Sequence, residues 1–201
     1  MSLIDPVRPS LKERQWQLRE DAILDAASEL LSSKGYTAMT MDDIANLVGI
    51  SKATLYQHFP SKHDLVVSVA CRTSDRSYAQ MSAIDPTLPA KERISRLIDT
   101  IVQVRYGPDS PHFIEAVGEL VEVLGSDHPY MLKEKRNAEF IHSVLRDAEK
   151  QGAIIPKLSI DVAVHVVLGA LRCIELEMVV GDGRLGPEVV ADSIKRMILR
   201  S

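Results

Sequence analysis

Residues 40–62, with the sequence TMDDIANLVGISKATLYQHFPSK, contain three signals that begin helices and two that end them. Serine and threonine side chains cap the first turn of a helix, and an acid three residues later can complete the cap. The residues placed for this role are Thr40, Ser51 and Ser61. Gly49 is expected to end the first helix, because glycine enters the left-handed region without a steric penalty. Pro60 is expected to end the second, because it lacks an N–H. Two short helices on a tight turn form a helix-turn-helix, here over about 40–59.

The rest of the chain also predicts helices. Hydrophobic residues make up 45% of the 201 residues but aromatic residues only 4%, so we expect a core of aliphatic side chains. These side chains recur at helical spacing rather than in strand-like alternation, which favours an all-α fold of about nine helices without strands. The predicted helices cover about 10–34, 41–48, 52–59, 62–83, 90–106, 111–124, 129–151, 159–180 and 187–200.

A stretch with several prolines divides the chain into two parts. Pro86 and Pro89 interrupt the helical pattern, because proline cannot continue a helix. We expect a head at residues 17–77, which contains the helix-turn-helix, and a larger helical domain at residues 85–201. Residues 1–20 are charged throughout and lack the apolar segment of a signal peptide. We therefore expect a cytoplasmic protein.

The helix predicted at residues 159–180 is apolar on nearly every side. A helix of that kind must be covered on all sides. The core of its own domain can cover one side, and a second copy of the chain most simply covers the other. The helix at residues 187–200 has an apolar stripe that can join the same contact. We expect a homodimer through these two helices, and burial within a single monomer is the alternative.

The second helix of the helix-turn-helix presents two different faces. Leu55 and Phe59 are four residues apart and are expected to face the helix bundle. The opposite face is polar, and no acidic residue lies between Gly49 and His63, although the net charge of the whole chain is −4. A helix-turn-helix sets its second helix into the major groove of DNA. We therefore expect this polar face to contact DNA.

Each residue type on this surface suits a part of DNA. Lysine ammonium groups and the tyrosine hydroxyl donate to phosphate oxygens, as do backbone N–H groups at helix starts. Glutamine and threonine read base edges, and alanine contacts the thymine methyl group. His58 can donate to DNA or pack against the core, and Thr54 can instead serve the helix cap. The candidate DNA-binding residues are Thr40, Ser51, Lys52, Ala53, Thr54, Tyr56, Gln57, His58 and Lys62.

A series of short motifs runs through the head in a fixed order. The motifs are A-x-x-L at 27–30, G-Y-x-A-x-T at 35–40, I-A at 44–45, V-G-I-S at 48–51, T-L-Y-x-H-F at 54–59 and S-K at 61–62. Together they resemble the DNA-binding domain of the tetracycline-repressor (TetR) family of bacterial transcription regulators. The resemblance implies three N-terminal helices that bind DNA and a C-terminal helical part that binds a ligand and dimerises. By matching position it also implies phosphate contacts from Thr40, Tyr56 and Lys62, and groove contacts from Lys52, Ala53, Thr54, Gln57 and His58.

The expected function is that of a homodimeric repressor, which a small-molecule ligand in the C-terminal domain releases from an operator in double-stranded DNA. A transcriptional activator of the same fold is an alternative. No cofactor is expected. Polar residues on the helices that should surround the ligand are candidate pocket residues: Arg105, His112, Arg136, Glu139, His142 and Arg172.

A metal-binding helical-bundle enzyme is an alternative from a different class. Glu139 and His142 form the E-x-x-H pattern of di-iron bundles. Such a site needs two of these patterns and one Glu from each of two further helices, and the sequence has a single E-x-x-H. We therefore expect neither a metal site nor an enzyme.

Overall fold

The computed structural model describes residues 10–107, 110 and 124–200. Within these ranges the chain forms nine α-helices and no strand, apart from one isolated antiparallel bridge between Ile154 and Leu199. The helices are α1 (Leu11–Ala38), α2 (Met41–Val48), α3 (Lys52–His58), α4 (Lys62–Ser82), α5 (Ala90–Tyr106), α6 (Pro129–Lys150), α7 (Ile160–Leu171), α8 (Ile174–Gly181) and α9 (Pro187–Ile198). The all-α fold is confirmed. The helix predicted at 111–124, and His112 with it, lies outside the described residues except at Leu124.

Side-chain caps begin the head helices where the sequence predicts them. The capping residues are Ser10, Thr40, Ser51 and Ser61 for α1 to α4. Gly49 follows α2 in the left-handed conformation, with φ at 74°, which glycine adopts without a Cβ clash. The prediction that α1 ends at Gly35 is incomplete. Gly35 does leave the helical conformation, with φ at 76°, but a further turn continues to Ala38.

One hydrophobic core, contributed by α1 to α4, holds the head together. Leu55 of α3 and Phe59, which directly follows α3, are buried in this core, and Leu55 has no exposed surface. This confirms the inward orientation predicted for both residues. Leu124 and Tyr130, from beyond the head, also pack against this core. The helix-turn-helix therefore rests on a close-packed base, and burial of apolar surface is the main force that fixes α3.

A second core lies between α5, α6, α7 and α9, and Met81 near the end of α4 belongs to it. Leu65, Val66 and Val69, near the start of α4, belong to the core of the head. Helix α4 is thus shared by both cores. Within the described ranges, no helix is long and apolar enough to cross a membrane.

The helix predicted at 159–180 is broken in the structure. Helix α7 ends at Leu171 and α8 begins at Ile174, so the prediction of one continuous helix is wrong. Side chains of α5 take up the carbonyl groups at the break: the Tyr106 hydroxyl donates to the Ala170 carbonyl, and Arg105 Nε donates to the Leu171 carbonyl at 2.9 Å. A helix end needs such partners for its last carbonyl groups. Here they come from a distant part of the sequence.

We expect Leu55→Ala to lower the free energy of unfolding of the head by about 2–5 kcal/mol, because it removes a fully buried side chain and leaves a cavity. Leu18→Ala is the matched control, since Leu18 is 70% exposed, and it should change the free energy by less than about 0.5 kcal/mol. Urea unfolding followed by circular dichroism measures both values. Equal effects of the two substitutions would contradict the packing described for α3.

Candidate nucleic-acid interface

Helix α3 presents a polar surface to solvent on the side opposite its buried anchors. Ser51, Lys52, Ala53 and Gln57 are exposed, and Tyr56 keeps 42% of its surface accessible. The structure therefore brings these five predicted residues together on one exposed face. A helix that enters a major groove needs an exposed polar face of this kind, supported by a packed core behind it.

Three of the predicted residues, Thr40, Ser51 and Thr54, take part in helix caps. Thr54 is half-buried, and its backbone N–H and its hydroxyl both bond to the Ser51 hydroxyl, at 3.1 and 2.8 Å. The Thr40 hydroxyl accepts the Asp43 N–H and donates to the Asp43 carboxylate, at 3.1 and 2.8 Å. These bonds fix the first turns of α2 and α3 by satisfying backbone N–H groups that have no partner within the helix. They leave the Thr40 and Ser51 side chains exposed at the two helix starts.

Lys52 is held by a carboxylate of the preceding helix. Its ammonium group lies 2.8 Å from Asp42, and both side chains are exposed. The hydrogen bond and the charge of Asp42 raise the pKa of Lys52 above its usual value. The lysine is therefore fully charged at neutral pH. An exposed pair of this kind is weak, so Lys52 can exchange Asp42 for a phosphate oxygen at small cost.

Lys62 lies at the start of α4 over the ring of Tyr36, for which the sequence predicted no role. Its ammonium group is 4.2 Å from the centroid of Tyr36. Partial burial lowers the pKa of Lys62, and the cation–π contact holds the charge in place near the helix-turn-helix. The G-Y motif at 35–36 contained this residue, but the sequence does not reveal that its ring meets a lysine 26 positions away.

His58, the last residue of α3, packs against α1. Its ring stacks on Trp16 with 3.7 Å between ring centroids and 28° between planes. Both ring nitrogens are buried and have no hydrogen-bond partner among the described residues. Burial lowers the pKa of His58, so the imidazole is neutral at pH 7. The sequence left two roles open for His58, and in this structure the residue has the packing role. Its contact with Trp16 was not predicted from the sequence.

The candidate pocket residues form separate contacts. Arg105 pairs with Glu177 at 2.8 Å, and both side chains are largely buried. Arg172, which follows α7, pairs with Glu134 of α6 at 3.2 Å. Because each arginine already has a carboxylate partner, neither offers a free charge to a ligand in this arrangement.

The other candidates lie along α6 and also have different partners. Arg136 binds Asp75 at 3.0 Å and lies over the Tyr78 ring. Glu139 is exposed, 4.0 Å from Lys135, and His142 lies 3.0 Å from Asp161. The structure therefore does not gather these residues into one site, and His112 lies outside the described part. No group of three or more His, Cys, Asp or Glu side chains within that part could hold a metal ion.

Comparison with known proteins gives a consistent result. The family model described as "Bacterial regulatory proteins, tetR family" matches residues 23–69. The transcriptional regulator UidR of Escherichia coli K12 is 29% identical over 169 residues, which cover 77% of this chain and 81% of UidR. The family match includes the whole helix-turn-helix.

Solved structures share the fold over almost the whole chain. The fatty acid degradation regulator FadR from Bacillus halodurans superimposes with a TM-score of 0.73 at 17% identity, covering 90% of this chain and 94% of that one. AibR, solved in complex with isovaleryl coenzyme A and operator DNA, superimposes with a TM-score of 0.70 at 24% identity. The superposition covers 90% of this chain and 98% of AibR. The family match and the similarity to UidR identify the protein as a transcriptional regulator and not as an enzyme, and the solved structures show that the fold is shared. The chain belongs to the TetR family of DNA-binding bacterial transcriptional regulators.

Proposed function

We propose that the protein is a homodimeric repressor that binds a pseudo-palindromic operator and leaves it when a small molecule binds the C-terminal domain. The observation that carries the proposal is the exposed polar face of α3 over its buried anchors Leu55 and Phe59. Deletion of the gene tests the sign of regulation. Transcripts of the bound genes should rise when the protein is absent, and a fall would favour the alternative of an activator.

The exposed face divides into phosphate and base contacts. The ammonium groups of Lys52 and Lys62 and the Tyr56 hydroxyl are assigned to phosphate oxygens, together with the helix starts at Thr40 and Ser51. Gln57 is assigned to a base edge. Ala53 and Thr54 of the same helix are assigned to smaller contacts in the groove. His58 is omitted from the contact set, because its ring nitrogens are enclosed.

We expect Lys52→Ala and Gln57→Ala to weaken operator binding in different ways. Loss of a phosphate contact should reduce the slope of log affinity against log salt by about one for each subunit, with base preference unchanged. Loss of Gln57 should relax base preference at one position of each half-site at a cost of about 1–3 kcal/mol, with the slope unchanged. Fluorescence anisotropy over a salt series, with an operator recovered from genomic DNA, measures both.

Lys91→Ala is the matched control for these substitutions, because Lys91 is an exposed lysine on α5 in the C-terminal domain. It should leave the affinity and the salt slope unchanged. If Lys52→Ala behaves like Lys91→Ala, the assignment of α3 to the major groove is wrong.

An exposed apolar surface on α7, α8 and α9 supports the homodimer. Helix α8 contains no buried residue, although five of its eight residues are apolar, and Met178 at its centre is 61% exposed. The exposed hydrophobic residues of these helices are Val162, Ile174, Met178, Val189 and Met197. Exposed apolar side chains concentrated on three consecutive helices are typical of a protein interface. A two-fold axis here would present two α3 helices to successive major grooves, about 34–36 Å apart.

We expect Met178→Glu to convert the dimer to monomers, because it introduces a charge into the apolar contact. Analytical ultracentrifugation at micromolar concentration should show the mass of one chain, and the affinity for a full operator should fall towards that for a half-site. Leu18→Glu is the control, since Leu18 is an exposed leucine on α1. A dimer that survives Met178→Glu would place the interface elsewhere.

Helix α4 is proposed as the lever that carries the ligand signal to the head. Asn137 of α6 is buried, and its amide donates to the Ser74 hydroxyl and carbonyl of α4 at 2.9 and 3.0 Å. Glu134 accepts a hydrogen bond from the Ser74 hydroxyl at 2.9 Å and pairs with Arg172 at the helix break. Breaking a buried polar contact is costly. A shift of α6 or of the break therefore moves α4 and, with it, the head.

We propose an acyl-coenzyme A thioester as the ligand class, because AibR was solved with isovaleryl coenzyme A and FadR is a regulator of fatty acid degradation. We expect isovaleryl or a long-chain acyl coenzyme A to weaken operator binding by about 5- to 150-fold, the usual range of allosteric coupling. Fluorescence anisotropy with labelled operator measures the change. Coenzyme A without an acyl group is the control, and an equal response to it, or none to any thioester, would exclude this ligand class.

A further inference from the structure

The first turns of α1 extend beyond the hydrophobic core of the head. Residues 11–22 contain no buried side chain, and burial in α1 begins at Ile23. Residues at 1.5 Å rise each make this extension about 18 Å long. An exposed helix of this length contributes little to folding, because stability comes mainly from buried apolar faces. Its presence beside the DNA-binding helix therefore needs another explanation.

The extension contacts α3 through one aromatic pair. Trp16, which is 41% exposed, stacks on the imidazole of His58 with 3.7 Å between ring centroids. His58 is the last residue of α3, and only Leu55 within the helix is fully buried. The stack thus adds a contact from α1 at the C-terminal end of α3, beside the buried anchor Phe59. Both imidazole nitrogens are enclosed, so the pair is closely fitted and is not a loose surface contact.

We propose that Trp16 is a positioning residue for DNA binding, which acts through His58 to fix the C-terminal end of α3. Tyr56 and Gln57 lie one and two residues before His58, and a fixed helix end holds both side chains in the orientation that the groove requires. A surface held in its bound conformation loses less conformational entropy on binding. This inference rests on the proposed contacts of α3, and it predicts an effect on affinity without a comparable effect on stability.

The test compares operator binding by Trp16→Ala, Trp16→Phe and Leu18→Ala, the last as an exposed residue of the same extension. A stacked aromatic pair contributes enough to change a binding constant by about 2- to 13-fold. Trp16→Ala should weaken operator binding within that range, Trp16→Phe should restore most of it, and Leu18→Ala should have no effect. The melting temperature of Trp16→Ala should stay within about 2 °C of the wild type, because the residue is exposed.

A double-mutant cycle tests whether Trp16 acts through His58. In a His58→Ala background, Trp16→Ala should cause no further loss of affinity, because the stack is already absent. An undiminished second loss would mean that Trp16 contacts DNA or another residue itself, and the positioning role would be rejected. The same conclusion follows if Trp16→Ala and Leu18→Ala bind the operator equally well.

Trp16 is the only tryptophan of the chain, so its fluorescence reports the stack without a label. His58→Ala should shift the emission to longer wavelength, since it exposes the indole face to water, and an unchanged spectrum would contradict the stack. This measurement requires no DNA. If the wild type binds no operator, the proposed function fails, whereas an intact stack with normal binding by Trp16→Ala rejects only the positioning role.

Discussion

The membership of α4 in two hydrophobic cores is the constraint on which the rest of the structure depends. Its first turns carry Leu65, Val66 and Val69 into the head, and Met81 near its end is buried in the C-terminal domain. Close-packed cores do not deform continuously. A rearrangement in the C-terminal domain that displaces Met81 must therefore either move α4 as a unit or break its packing. The orientation of the DNA-binding head depends on which of these two changes occurs.

The head and the C-terminal domain use polar side chains in different ways. In the head, polar groups cap helices locally and leave an exposed face free for DNA, as Ser51 does for α3. Between α4 and α6, Asn137 and Ser74 are buried and bonded to each other. Burial makes that contact costly to break, whereas the exposed Lys52–Asp42 pair opens easily. Polar contacts therefore fix α4 against α6 inside the molecule, whereas those on the surface can be exchanged for contacts with DNA.

Local signals in the sequence predicted the head almost completely. A helix cap, a left-handed glycine that ends a helix, and apolar residues spaced four apart are each encoded within one or two helical turns. Thr40, Gly49 and Leu55 are examples, and the order of the motifs identified the family. Contacts between distant residues were not predictable in this way. The break after Leu171 has no proline or glycine within it and depends on Arg105 and Tyr106 of another helix. The place of His58 depended likewise on Trp16, 42 positions earlier.

The helix break also connects the proposed dimer surface to the head. Arg105 and Tyr106, which bind the carbonyls at the break, end α5, and the Arg105 carbonyl accepts a hydrogen bond from the Ser110 hydroxyl. The Ser110 carbonyl in turn accepts one from Ser32 of α1 at 3.0 Å. A change in the angle between α7 and α8 would thus disturb α5 first and α1 next. Because α1 packs under the helix-turn-helix, these hydrogen bonds form a path from the proposed dimer surface to the head.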